Sequence, residues 1–303
     1  MSTVALSTPT AAGRAGRPGF PGTGHRNLHR FLATGVLLVG ALYCLLPVLW
    51  VFMAATRTRE ELFSSFSLAP GWNGGLWENL RDLNDYRGGE FWRWAANSVL
   101  YAGAGSVLSV LVSAAAGYAL AVYRFPGRGA VFSAVLGAVL LPQVALAIPQ
   151  YLFLSRIGLA NTYWSVLLPG ILSPYGIYLM RIYASSAIPS EMVEAARLDG
   201  ARELRIFRSV ALPTLVPGLV TVFLLQFVAS WNNFLLPYVM LSDDRKYPMT
   251  VGLFTMLNQG ANQPALYSLV IAGALLAVLP LVALFLFLQR FWSIDLVSGA
   301  VKS

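Results

Sequence analysis

Charge is scarce in this sequence. Asp, Glu, Lys and Arg make up 11% of its 303 residues, less than half of the roughly 25% usual in soluble domains. Whole intervals carry none: Phe31 to Thr56, Trp94 to Tyr123, Gly129 to Ser155, Ile157 to Met180, Ser209 to Ser242 and Tyr247 to Gln289. Intervals this long leave no polar shell for a soluble fold. Cysteine is scarcer still. Cys44 stands alone, which excludes an intramolecular disulfide or a cysteine-built metal cluster; inside an apolar run it reads as a small hydrophobe. Both histidines, His25 and His29, precede the first apolar interval, so the apolar segments offer no histidine-dependent catalysis and no histidine metal site. The spacing in "HRNLH" is metal-like, but a lone pair in such a segment reads as solvated. Lys246 and Lys302 lie outside any G-x-x-x-x-G-K-[ST] pattern, so the chain has no phosphate-binding loop of its own. No Asp, Glu, Lys or Arg falls deep in an apolar interval, where proton- or ion-coupled pumps need one. A secondary transporter and a membrane enzyme are both disfavoured. Any transport by this chain must draw its energy from a partner.

What the chain has in excess is hydrophobic length, at 57% of residues. A bilayer needs about 20 mostly apolar residues per helix, and only a helix satisfies its own backbone across lipid at that length. The expectation is an all-α integral membrane protein with six transmembrane helices, near 31–55, 96–122, 130–154, 163–183, 214–239 and 266–289. Pro126, Pro213 and Pro237 mark span boundaries. Pro47, Pro142, Pro149, Pro169, Pro174 and Pro280 fall inside spans and predict kinks. Residues 1–30, rich in Gly, Pro, Ala and Arg, cannot bury enough apolar surface to fold. They read as a disordered cytoplasmic tail before an uncleaved first span, because the apolar run that follows is too long for a signal-peptide core. Residues 31–290 form the six-helix domain, with a loop at about 184–213, and 291–303 form a second tail.

Lysine and arginine set the orientation. With both termini cytoplasmic, inner segments hold 13 basic and five acidic residues and outer segments hold eight of each, so the whole net charge of +8 lies on one face. The basicity is therefore topology, and no nucleic-acid partner is implied.

One stretch breaks the apolar pattern: "EAARLDGARELRIF", Glu194 to Phe207. Ala195, Leu198, Ala201, Leu204, Phe207 and Val210 recur at near-helical spacing, and charges cover the rest. Ser190 is placed to cap a helix, with Glu191 and Glu194 near its positive end. Asp199–Gly200 is a turn signal. The pattern predicts two short helices meeting at Gly200, with small residues that let another protein approach closely. An interfacial helix resting on lipid headgroups fits these residues equally well.

"EAARLDGARELRIFRSVALP" resembles the EAA loop of permease subunits in bacterial ABC importers, with Glu194, Ala195, Ala196, Asp199, Gly200 and the closing Leu212-Pro213 in place. The chain is similar, more narrowly, to the MalG-type branch of carbohydrate permeases. "NSVLYAGAGSVLSVLVSAAAGYALAVYRFPGR", "FVASWNNFLLPYVML" and "QRFWSIDLVSGAVKS" match that branch's second span, fifth span and tail. The likeness covers residues 30 to 303. Ser303 stands where a glycine is usual, and Trp292-Ser293 where Tyr/Phe-Val is common. The resemblance implies a type I importer permease fold in the bacterial inner membrane, without catalysis or a bound cofactor. It implies a MalF-like second permease, a cytoplasmic ATPase pair that uses ATP and Mg, an extracytoplasmic solute-binding protein and a di- or oligosaccharide substrate. A glycerol phosphate, or a non-sugar importer lacking the tail pattern, is the alternative. Under this resemblance the loop is the coupling helix, with Glu194 and the Gly200 bend as its key positions.

Gln226, Ser230, Trp231, Asn232 and Asn233 form a polar cluster in the fifth span. They fit a sugar-contacting wall of the pathway, or hydrogen bonds between helices. If helical, Asn232 and Asn233 point about 100° apart. Trp72, Trp77, Trp92 and Trp94 suit an interfacial belt or a docking surface for the binding protein. The charge-free stretch from Tyr247 to Pro264 suggests a half-helix at the pathway entrance.

Overall fold

The computed structural model describes residues 23–64, 69–260 and 263–291. Every regular element among them is a helix. The second tail from 292 and residues 1–22 of the first lie outside the described residues. The chain divides into two units, residues 1–49 and 50–303.

In the first unit lies most of α1 (Thr23–Ala55), which starts ahead of the expected residue 31, inside the expected tail. Its sequence from Phe31 onward is apolar on all sides, and side chains such as Leu37, Val39 and Tyr43 are exposed. A helix with no polar face is suited to lipid.

The second unit opens with α2 (Arg59–Ser64) and α3 (Gly75–Asp85). A tight turn leads to α4 (Glu90–Val99), which runs through a π-turn at Leu100–Ala104 into α5 (Gly105–Val122). Then come α6 (Arg128–Val139), α7 (Gln143–Arg156), α8 (Tyr163–Ile171) and α9 (Pro174–Ala187). Two short helices follow, α10 (Ser190–Leu198) and α11 (Glu203–Ile206). A π-turn at Phe207–Ala211 leads to α12 (Leu212–Thr214), α13 (Val216–Trp231) and α14 (Leu235–Met240). The described part ends with α15 (Met249–Gly260) and α16 (Ala265–Leu288).

Among the described residues, runs of membrane-crossing length and apolarity are Arg30–Ala55, Glu90–Val122, Tyr163–Ala187 and Ala265–Phe291, four in all. The count reaches six if each of two bent pairs is one span. These pairs bend more sharply than the kinked but continuous spans expected from hydropathy and proline. The expected span 130–154 is α6 and α7, bent by 104°. Pro142 stands at the break with φ −66° and ψ 120°; proline has no N–H to give, and it disfavours helical geometry in the residue before it. The expected span 214–239 is also interrupted. α11–α12 and α13 meet at 77°, just before Pro217, which cannot donate to the Pro213 carbonyl. At its far end α13 stops at Trp231, and α14 starts at Leu235 with Pro237 in its first turn; the Asn233 carbonyl between them accepts from Thr250 Oγ1 at 2.9 Å.

One core gathers Phe91, Trp94, Phe227, Trp231, Met256 and Leu269. Its tightness depends on glycine. A Cβ at Gly252 would overlap the Trp94 ring, and one at Gly273 would meet Leu253 Cδ2 at 2.6 Å. Polar side chains of the Glu90–Val122 run satisfy the turn before α15: Trp94 Nε1 donates to the Asp244 carbonyl (3.1 Å), Asn97 Nδ2 to those of Arg245 and Tyr247, and Tyr101 OH to that of Lys246. A second core joins Val110, Ala114 and Tyr118 of α5 to Met180 and Ala184 of α9, Val193 of α10, Ile206 of α11 and Val222 of α13. Lipid supplies no hydrophobic drive between helices, so close backbone approach does this work. A Cβ at Gly117 would lie 2.6 Å from that of Met180, and one at Gly176 2.6 Å from Ser113 Oγ.

Candidate functional site

An exposed turn links α10 to α11. The helix ends there for a local reason. Gly200 has φ +77°, a left-handed conformation that glycine adopts without Cβ strain. Ala201 N–H donates to the Ala196 carbonyl and Gly200 N–H to that of Arg197, both at 3.0 Å. This is the paired-bond stop in which a glycine past the helix end satisfies the last carbonyls. At the other end Pro189, not Ser190, occupies the cap position, and no side chain caps the helix.

Two buried side chains anchor the elbow to the second core: Val193, 2% exposed, and Ile206, fully buried. Ala196 is half-buried against the same core. Glu194, Ala195, Asp199 and Gly200 are exposed. So are two apolar side chains flanking the bend, Leu198 at 89% and Leu204 at 67%. The elbow thus presents small, acidic and apolar groups together on a mount fixed from behind. A Cβ at Gly200 would meet nothing within 4 Å.

A polar brace crosses the bend. Arg197 Nε donates to Glu203 Oε1 at 2.8 Å and its Nη2 to Oε2 at 3.3 Å. Tyr123 OH, from the residue that ends α5, donates to the same Oε2 at 2.9 Å. The Arg197 hydrogen bond, and then that of Tyr123, hold the Glu203 carboxyl below the ordinary glutamate range. Desolvation, with the carboxylate beside it, pushes the Tyr123 phenol up. Sequence spacing gives no hint of the Arg197–Glu203 pair. Residues six apart do not face each other on a helix; only the turn brings them together.

The polar residues of the expected fifth span do not converge on one cavity. Gln226 Nε2 donates to the Gly170 carbonyl at 3.2 Å, and Ser230 Oγ to that of Tyr101 at 3.2 Å. Trp231 is buried, stacks on Phe227 and donates to the Ala277 carbonyl at 3.1 Å. These three bind helix to helix. Asn232 and Asn233 stand past the end of α13, so the helical offset between them does not apply. Asn233 Oδ1 accepts from Leu236 N–H, starting α14. Asn232 is exposed, and its amide donates to its own helix at Val228. Among the described residues, no three His, Cys, Asp or Glu side chains come together as a metal site.

Apolar helices of membrane-crossing length, several of them packed through buried cores, define a helical, multi-pass membrane protein. The chain belongs to the family of binding-protein-dependent transport system inner membrane components, which it matches over residues 23–293. It is 39% identical over 214 residues to the arabinooligosaccharides transport system permease protein AraQ of Halalkalibacterium halodurans, a match covering 71% of this chain and 75% of that protein. It is 31% identical to the lactose transport system permease protein LacG of Rhizobium radiobacter, covering 88% of this chain and 94% of that one. Identity to the sn-glycerol-3-phosphate transport system permease protein UgpE of Pectobacterium atrosepticum is 32%, with the same coverages. Among solved structures, it is similar to a chain of a bacterial ABC transporter involved in the import of the acidic polysaccharide alginate. The TM-score is 0.78 at 24% identity, covering 91% of this chain and all of that one. The fold is that of an ABC importer permease.

Proposed function

We propose that this chain is one of two permease subunits in an ATP-driven importer of a di- or oligosaccharide, and that the α10–α11 elbow receives the motion of a cytoplasmic ATPase. The observation that carries this reading is the elbow's construction. Leu198 and Leu204 are exposed beside Glu194 and Gly200, while Val193 and Ile206 root the same segment in the core. A partner cleft that covers the leucines gains apolar burial, and the anchors pass its displacement to the spans. The chain itself does no catalysis in this reading: ATP and Mg belong to the ATPase, a second permease completes the pathway, and an extracytoplasmic binding protein delivers the sugar. Both termini, the Arg124–Arg128 turn and the elbow lie in the cytoplasm, where the positive charge gathers.

Asn232 is the residue best placed for substrate contact, because its exposed amide lies where α13 ends. Its side chain is already bonded to Val228, so a sugar hydroxyl gains a modest bond. Asn232→Leu should weaken uptake severalfold, in keeping with roughly 0.5–1.5 kcal/mol for a neutral hydrogen bond, while assembly persists. Normal uptake by this variant would assign sugar contact to the other permease.

The substrate class is tested in liposomes holding the full importer with ATP inside. The expected result is ATP-dependent accumulation of labelled arabino-oligosaccharide or disaccharide, saturable and dependent on the binding protein. sn-Glycerol 3-phosphate is the second reading, because UgpE is as similar to this chain as LacG. Accumulation of that phosphate with no saccharide uptake would replace the first reading by the second.

A further inference from the structure

The elbow has a weak point that its anchors do not cover. Gly200 is the backbone joint between α10 and α11, it is in the left-handed region, and no neighbour approaches the position of its missing Cβ. A displacement applied to α10 could be absorbed by rotation at this joint instead of reaching the membrane helices. The side chains around it compensate. The Glu203 carboxylate is held from both directions: by the Arg197 guanidinium, on the far side of the joint, at 2.8 and 3.3 Å, and by Tyr123 OH at 2.9 Å. Tyr123 directly follows the Glu90–Val122 membrane run. Its ring packs edge-on against Tyr118 within that run, at 5.6 Å between centroids, and Tyr118 packs in turn against Phe207 beyond α11, at 5.2 Å. Three elements therefore meet at one carboxylate and one aromatic stack.

We propose that Arg197, Glu203 and Tyr123 form a strut that locks the elbow's bend and ties it to the end of the Glu90–Val122 helix, so that these three are positioning residues for energy coupling. The inference rests on the reading of the elbow as the ATPase-coupling element. The strut's exposed setting fits a geometric role. Ion pairs in water add little to fold stability, yet a two-pronged guanidinium–carboxylate contact fixes orientation. The tyrosine hydroxyl adds the tether to the membrane helix, and the packing of its ring against Tyr118 limits the angles that Glu203 can adopt.

The test uses the full importer in liposomes and reads sugar moved per ATP hydrolysed. Tyr123→Phe removes only the tether, Glu203→Ala removes all three bonds, and the exchange Arg197→Glu with Glu203→Arg reverses the pair while Tyr123 OH can still bond, now as acceptor. Retained membrane insertion and ATPase co-purification are the folding controls. The strut predicts a severalfold drop in sugar per ATP for Tyr123→Phe and for Glu203→Ala, no further drop when the two are combined, and recovery to at least half of wild type in the exchange. A structural role alone would lower assembly, not the transport-to-hydrolysis ratio. An unchanged ratio in both Tyr123→Phe and Glu203→Ala would overturn the strut. Failure of the exchange with a silent Tyr123→Phe would also overturn it, by assigning the charges to direct contact with the ATPase. A cysteine at Leu198 separates the underlying reading: if it crosslinks to the ATPase while the ratios stay normal, only the strut falls; if it does not, the coupling reading falls and takes the strut with it.

Discussion

Glycine shows how one residue type does opposite jobs in this fold. At Gly200 the need is conformational. Left-handed geometry costs a residue with a Cβ about 1–2 kcal/mol, and the space beyond is open, so both Gly200→Ala and Gly200→Leu should still insert. The difference between them should be in coupling. Alanine should retain part of the binding-protein-stimulated ATP hydrolysis, and leucine, whose side chain projects from the exposed bend, should abolish it. Equal, wild-type stimulation in both would mean that nothing docks there. At Gly252 the need is space. Gly252→Ala pushes a methyl into Trp94, and overpacking of this kind costs about 1–3 kcal/mol. A lowered melting temperature in detergent should follow, whereas Gly103→Ala, with nothing within 4 Å, should melt like the wild type. The first of these glycines was legible, because Asp-Gly between amphipathic runs is a turn signal with a known cause. The second was not, since nothing local in "TVGLF" indicates a tryptophan 158 positions away in sequence. Trp231 and Gln226 were equally ambiguous: composition says that a polar group in a span needs a partner, and only the fold says that the partners are Ala277 and Gly170.

At the scale of elements, hydropathy located the apolar runs and misjudged their continuity. The 3.6-residue pattern survives a bend, so α6 and α7 read as one helix although they meet at 104°. Proline carried the missing information. Pro142, Pro217 and Pro237 each withhold an N–H from the carbonyl four residues earlier, but a proline in a span predicts only a weakness there, and packing decides whether it becomes a kink or a break. Whether each bent pair crosses the membrane is open to experiment. If α6–α7 is one span, a cysteine at Gly127 should react with impermeant maleimide only from the cytoplasmic face and one at Gly158 only from the other. Labelling of both from one side would make the pair re-entrant. Tags near Asp82 and Asp244 should report the outside and tags near Gly127 and Gly200 the cytoplasm.

For the whole molecule, the proposed function means that energy enters at the α10–α11 elbow and leaves as movement of the membrane helices. Two halves of this are physically separable. The packed cores couple the helices they join, because interfaces as close as Gly117 on Met180 leave no room to slide. In the proposed reading the elbow lets a partner move them, because it exposes Leu198 and Leu204 beside Glu194 and Gly200. The most direct measurement is site-specific crosslinking in the assembled importer. With Cys44, the chain's own cysteine, replaced by alanine, a single cysteine is placed at Leu198, at Gly158 or at Gly103, and a short bifunctional maleimide is added. The account predicts a crosslink to the ATPase from position 198, changed in yield by ATP, and none from the other two positions. No ATPase crosslink from position 198, or a crosslink from there to the binding protein, would contradict it.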